Sequence, residues 1–352
     1  MRHRFARFTL LLALLAHVPV HAQDVVLHGA GSSAAKHVYH TWGERFAAAT
    51  GIALAYDAVG SSEGLRRIVA GAVDFGASDV APDTASLTHD GLVLVPTVVT
   101  GATPIVNLPT LAGTALRLDG PSLAAIFAGT ITRWNDPALV ALNPDRALPD
   151  IPITPVARSD GSGTTYNFTD YLTKVSPEWQ SRFGTAKRID WPAGAERAKG
   201  SSGVVSAVAA TPGAIGYVDY TYVLKHDLQT VALKNRAGHF VSPSLAGFRA
   251  ALLASPWQAE GRFTSTLTDQ PGGDSWPITM GTFVLLPERI DDARLGRDLV
   301  RFFTWAFMHG DALAAEAHFV RLPDPVQAKA YRALAQVHDA QGNVFAYQIL
   351  QR

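Results

Sequence analysis

The sequence predicts an α/β protein with mixed, mostly parallel sheets. Two observations carry that prediction. Short apolar runs suited to strands alternate with helical periodicities along the chain. The strands also give way repeatedly to helices through turns rich in glycine and serine. With 352 residues, 47% hydrophobic and 17% charged, the chain is long enough for two ordinary domains and apolar enough to pack a core.

The elements follow in order. Arg2, His3, Arg4 and Arg7 precede an almost wholly apolar run from Thr9 to Val20, and Val20-His21-Ala22 resembles a small-x-Ala cleavage site. Residues 1–22 therefore read as a secretory signal peptide. The apolar run is too short to span a bilayer, and His17 and Pro19 interrupt it. The chain has no cysteine, which excludes a lipid-anchored cysteine, disulfides, thiolate catalysis and thiolate-ligated metals.

Val25 to Leu27 reads as a strand and Gly29-Ala30-Gly31-Ser32-Ser33 as a turn. Val38, Tyr39, Trp42, Phe46 and Ala49 have helical spacing, with Gly51 placed to end the helix. Ile52, Leu54 and Tyr56 alternate as in a strand. Gly60-Ser61-Ser62 is a second turn, followed by a short helix carrying Leu65, Ile68 and Val69. Val73 to Ala77 is a third strand, ending at Ser78-Asp79.

Further on, Ile151 to Ala157 is a strand, Asp160-Gly161-Ser162-Gly163 a turn, and Phe168, Tyr171, Leu172 and Val175 one helix face. Gly200-Ser201-Ser202-Gly203 precedes another apolar helix, and Ala214 to Tyr220 is a strand. Leu299, Val300, Phe303 and Ala306 mark a C-terminal helix. Leu92 to Asn107 and Trp276 to Leu286 are long, extended and proline-punctuated, as strands crossing between two lobes would be.

The recurring turn carries the chemistry. A helix opens with backbone N–H groups that have no intrahelical partner, at the positive end of its dipole. Glycine lets the backbone approach a ligand, and serine or threonine adds a hydroxyl donor. Four such turns, at Gly29–Ser33, Gly60–Ser62, Asp160–Thr164 and Gly200–Gly203, point to an oxyanion site. Arg158 adds a guanidinium fork matched to oxyanion geometry, and Asp160 stands two residues on to hold it. Asp79 ends a strand, where ligand crevices of α/β sheets lie. A carboxylate there suits an anion that still carries a proton and opposes one that is fully ionised. Lys plus Arg equals Asp plus Glu at 30 each, a balance that argues against nucleic acid but permits a small anion.

At these residues the chain resembles the phosphate-binding proteins of bacterial phosphate ABC transporters. The resemblance runs from about Asp24 to Tyr347. It rests on Gly29-Ala30-Gly31, Gly60-Ser61-Ser62, Val73 to Asp79, Asp160-Gly161-Ser162-Gly163-Thr164, Pro212 to Val218 and Trp276-Pro277-Ile278-Thr279. It implies a type II periplasmic binding protein fold of two α/β lobes, residues 24–98 with 280–352 and residues 99–279, joined by two crossing strands. It also implies a periplasmic monomer, neither an enzyme nor dependent on a cofactor or metal, that passes inorganic phosphate to a membrane permease. By position, the implied ligand residues are Ser33, the backbone at Ala34, Ser61, Asp79 as acceptor of the ligand's proton, and Arg158 with Asp160 as its partner. Ser162, Gly163 and Thr164 complete the set from the other lobe. The chain departs from the family pattern at Ser33-Ala34, where Thr-Phe is usual, and at Glu63, where glycine is common.

Three other readings stand beside it. Gly60-Ser61-Ser62-Glu63-Gly64 fits the G-x-S-x-G of a serine hydrolase with Ser62 as nucleophile and Asp219 with His226 or His239 as partners. His28, His37 and His40 cluster early, but no third ligand type completes a metal motif. The binding fold could also serve sulfate, molybdate or a phosphonate, against which Asp79 and the small, polar turns argue.

Overall fold

A computed structural model describes residues 26–108, 115–257 and 263–349. The signal peptide expected over residues 1–22 lies outside them. The chain begins with β1 (Val26–Gly31), α1 (Lys36–Thr50), β2 (Ala53–Asp57), α2 (Ser61–Val69), β3 (Phe75–Ser78) and α3 (Thr84–Asp90). β1 pairs in parallel with both β2 and β3, the geometry that helical crossovers allow. α1 buries Val38, Tyr39, Trp42 and Phe46, and Gly51 closes it in the left-handed region at φ 75°.

The glycines expected to form the first turn are the end of β1 instead. Gly29, Ala30 and Gly31 are paired with Phe75, Gly76 and Ala77. Close approach explains them: a Cβ on Gly29 would lie 2.0 Å from the Phe75 ring, and one on Gly31 would lie 2.0 Å from the Ala77 carbonyl. The actual turn is Ser33-Ala34-Ala35, leading into α1 at Lys36. The third strand likewise starts at Phe75 rather than Val73.

The middle of the chain comprises β4 (Leu92–Val106), β5 (Leu116–Leu118), α4 (Gly120–Phe127), α5 (Pro137–Leu142), β6 (Thr154–Arg158), α6 (Gly163–Val175) and α7 (Pro177–Arg182). It continues through β7 (Glu196–Ala198), α8 (Gly200–Ala210), β8 (Ala214–Asp219), α9 (Tyr220–His226), β9 (Val231–Lys234), β10 (Phe240–Val241) and α10 (Leu245–Leu253). β11 (Thr279–Pro287), α11 (Ala293–His309), α12 (Asp311–Glu316), β12 (Val320–Arg321), α13 (Asp324–Leu334) and α14 (Phe345–Ile349) complete the described chain.

Two lobes result because β4 serves two sheets. Residues Leu92–Gly101 pair antiparallel with β11, whose other edge pairs with β3. Residues Ala102–Val106 pair antiparallel with β8, beside which β6 and β7 run parallel. The strand path is β2-β1-β3-β11-β4-β8-β6-β7. Parallel pairing therefore dominates each lobe's flank, and the strands that join the lobes are antiparallel. β4 is buried along nearly its whole length, as a strand covered on both faces must be. Its register with β11 slips between Thr282 and Phe283, leaving Thr97 as the extra residue next to Pro96, which has no N–H to pair.

Candidate functional site

The C-terminal ends of β1, β3 and β6 meet the N-terminal ends of α2, α6 and α8 at one polar cleft between the lobes. Ser61 is the first residue of α2, behind Gly60 at φ 92°. Gly163 and Thr164 open α6, and Gly200 opens α8. The amides of Ser33, Ser61, Gly163 and Thr164 find no acceptor among the described residues, which for Ser61, Gly163 and Thr164 is the expected state of a helix's first turn.

Arg158 ends β6 and is 2% exposed. Its Nε donates to Asp160 Oδ1 at 2.7 Å and its Nη2 to Asp160 Oδ2 at 2.5 Å. Its Nη1 reaches across the cleft to Ser33 Oγ at 3.2 Å and, within its own lobe, lies 3.4 Å from Ser201 Oγ on α8. One side of the guanidinium fork is thus held by Asp160, and the other faces the cleft. Burial pushes the Asp160 carboxyl up, but the Arg158 guanidinium and the Gly200 amide, 3.0 Å from Oδ1, outweigh it and hold the pKa below its ordinary value.

Asp79 follows β3 and is 4% exposed. Ser32 Oγ lies 2.7 and 2.6 Å from its two carboxylate oxygens, and Thr282 Oγ1 donates to Oδ1 at 3.0 Å. Burial pushes its pKa up to about 6, against the pull of Ser32, Thr282 and the Arg158 charge. In its ionised form the carboxylate, with Ser32 and Thr282 donating to it, keeps lone pairs for a ligand hydroxyl.

The cleft is closed. Ser62 N–H donates to Gly161 O at 3.1 Å, Ser33 and Ser201 hydroxyls stand 2.9 Å apart, and Asn167 Nδ2 donates to the Asp79 carbonyl at 2.8 Å. Gly163 lies so close to the facing lobe that a Cβ on it would be 2.6 Å from Ser61 Oγ and 2.7 Å from Asp79 Cβ. Arg158 and Asp79 accordingly share one cleft, together with Ser33, Ser61 and Gly163.

Two expected donors are otherwise engaged. The Ala34 amide donates to Ser32 Oγ at 3.1 Å. Ser162 caps α6, its Oγ accepting from Thr165 N at 3.2 Å while its own amide donates to Lys187 O. Its hydroxyl proton remains to be donated. Glu63 turns away from the cleft: its carboxylate binds Arg66 at 2.7 Å and Arg67 at 3.0 Å on its own helix, which hold its pKa down to about 2.

Sequence reasoning missed four residues here: Ser32, Asn167, Ser201 and Thr282. Ser32 and Ser201 stand inside turns already singled out, which was a usable signal. Asn167 and Thr282 carry no local signal and reach Asp79 only through tertiary packing.

The hydrolase constellation does not assemble. Asp219 Oδ2 accepts from Thr100 Oγ1 at 2.8 Å and Oδ1 from the Thr221 amide at 2.9 Å. His226 stacks on Tyr222 and His239 contacts the Gly273 carbonyl, so neither histidine serves Ser62. His37 packs edge-on against Tyr222, and His40 pairs with Glu44. Among the described residues no group of three or more His, Asp or Glu side chains could hold a metal ion.

A family model described as the PBP superfamily domain matches residues 18–275. The chain is 41% identical over 301 residues to the phosphate-binding protein PstS of Xylella fastidiosa strain Temecula1, covering 86% of this chain and 82% of that protein. It is 40% identical over 305 residues to the PstS of Haemophilus influenzae, covering 87% and 91%. Among solved structures it is similar to a high-affinity periplasmic phosphate-binding protein bound with phosphate, with a TM-score of 0.73, 23% identity and coverage of 92% and 98%. A phosphate-binding protein from Stenotrophomonas maltophilia is similar at a TM-score of 0.67, 21% identity and coverage of 92% and 98%. At these identities the two structures speak for the fold.

Proposed function

This chain belongs to the PBP superfamily and within it to the PstS phosphate-binding proteins, and on that premise we propose that it captures one inorganic phosphate between its lobes in the periplasm. It passes the anion to the membrane permease of an ABC transporter and acts as a monomer, without chemistry on the ligand. The lobes comprise residues 24–98 with 280–352 and residues 99–279, hinged on the strands that cross between them.

The observation that carries this reading is the convergence of one guanidinium edge, three unengaged helix-start amides with the Ser33 amide, and one buried carboxylate on a single cleft. The amides and the Arg158 edge face the phosphate oxygens, with hydroxyls from Ser33, Ser61, Ser162 and Thr164. Asp79 accepts the proton that phosphate still carries. Each charge-assisted hydrogen bond contributes about 1.5–3 kcal/mol net, so a handful, less the cost of immobilising the ligand and closing the lobes, reaches micromolar affinity at about −8 kcal/mol. No net positive charge is needed, because Asp160 already offsets Arg158 and the amides supply the remaining field.

Calorimetry of the mature protein against phosphate and sulfate tests the proposal. Phosphate should bind at micromolar concentration or below, and sulfate at least about 100-fold more weakly, because it offers Asp79 no proton. Asp79→Asn should keep phosphate binding and narrow that ratio about tenfold or more. Equal affinity of the unaltered protein for the two anions would overturn the assignment.

A further inference from the structure

A hydroxyl has one proton and two lone pairs. At Ser32 all three are committed by position. Oγ accepts from the Ala34 amide at 3.1 Å and from the Ala35 amide at 3.4 Å, the two residues that lead into α1. Its remaining direction faces Asp79, 2.6 Å from one carboxylate oxygen and 2.7 Å from the other. With N–H groups on both lone pairs, the Ser32 oxygen cannot accept a proton from Asp79 and can only donate one. We propose that Ser32 is a positioning residue for anion selectivity: its one-way donation holds Asp79 as a proton acceptor and so sets the discrimination between a proton-bearing and a fully ionised oxyanion. The inference rests on the reading of the cleft as a phosphate site.

The groups around Asp79 explain why such a device is needed. Burial at 4% exposure favours the neutral carboxyl. Arg158 at the end of β6 opposes burial, but half of its fork is spent on Asp160. Asp219 at the end of β8 is a second buried carboxyl, and the Asp79 charge adds to the burial that pushes its pKa up. Tyr39 on α1 and Tyr56 on β2 face the same charge as neutral phenols, raised well above their ordinary range by burial. The remaining support is the pair of hydroxyls, Thr282 at 3.0 Å to one oxygen and Ser32 at the shorter distance. A protonated Asp79 would present a donor to the ligand, which sulfate accepts as readily as phosphate. Whatever sets the charge of Asp79 therefore sets selectivity.

The test is the sulfate dissociation constant as a function of pH from 5 to 8, for the unaltered protein and for Ser32→Ala. In the unaltered protein sulfate should tighten as pH falls through about 6, where Asp79 protonates. In Ser32→Ala the same rise should occur roughly one to two pH units higher, the tenfold to hundredfold change in the protonation equilibrium expected from loss of one hydrogen bond to a charged group. Ser32→Thr should restore the original profile. If Ser32→Ala fails to fold, Ser32→Cys, with a weaker donor, should show a smaller shift in the same direction. Superimposable profiles for the unaltered protein and the Ala or Cys variant would overturn the proposal. Carboxyl-carbon NMR titration of Asp79 in the ligand-free protein reads the same shift without any anion. An upward shift there in a protein that binds no phosphate would sink the functional reading and leave the Ser32 mechanism standing, whereas an unmoved Asp79 would sink the mechanism alone.

Discussion

Alanine at Gly163 isolates the shape of the closed cleft from its chemistry. The substitution keeps the backbone N–H that faces the ligand and adds one methyl group. That methyl would lie 2.6 Å from Ser61 Oγ, 2.7 Å from Asp79 Cβ and 2.9 Å from Asp79 Oδ2, all on the opposite lobe. Restoring ordinary contact requires the lobes to separate locally by about 1 Å, since carbon contacts relax near 3.5–4.0 Å. Overpacking of this kind costs about 1–3 kcal/mol, which weakens a dissociation constant by roughly 5- to 150-fold. The open form suffers no such clash. Because Gly163 has ordinary helical backbone geometry at the start of α6 and the clashes all lie on the other lobe, the ligand-free variant should melt no lower than the unaltered protein. Calorimetry with phosphate and a melting curve without it give the two numbers. The expected result is a weaker dissociation constant with unchanged or raised stability. An unchanged dissociation constant would refute the argument that Gly163 is required for closure, and a collapsed melting temperature would show that the clash lies within one lobe.

Two further substitutions probe the charges. Arg158→Ala removes the edge that faces the ligand and strands Asp160 at 14% exposure, so phosphate affinity should fall at least about 100-fold and urea unfolding should report a loss of roughly 3–5 kcal/mol; normal affinity would remove Arg158 from the site. Asp219→Asn tests the second buried carboxylate, whose pKa burial pushes up to about 7. Between about pH 4 and 7 the folded state binds a proton that the unfolded state does not, so this group makes stability fall as pH rises through that window. Asparagine can still cap α9. The variant should therefore gain melting temperature relative to the unaltered protein at pH 8 and lose that advantage at pH 5, and a pH-independent difference would refute the burial penalty.

Much of the site was legible because its parts are local devices. A glycine and serine turn between a strand and a helix offers free amides, so the turns at Gly60–Ser62 and Asp160–Thr164 and the neighbouring Arg158 could be read from the residues, and the resemblance then assigned Ser61, Ser162, Gly163 and Thr164 within them. Arg158 and Asp160 are two residues apart and form their fork within one turn. The helix faces of α1 and α11 were equally plain, since the side chains at Val38, Trp42 and Phe46, or Leu299, Val300 and Phe303, repeat at the helical period.

Other features depend on what the chain meets far away. Gly29 and Gly31 carry a turn's composition, but their strand pairing is decided by Phe75 and Ala77 on β3. Glu63 could have faced the ligand, and the arginines at 66 and 67 draw it outward. Thr282 reaches Asp79 from 203 positions along the chain, and Asn167 from 88. The amino-acid order alone determined which backbone amides, guanidinium and carboxylate were available, because helix starts and short turns are governed by neighbours. Only the tertiary structure decided which of them share a cleft and which hydroxyls govern the charge of Asp79, because strand register and lobe closure are set by contacts with no footprint in local sequence.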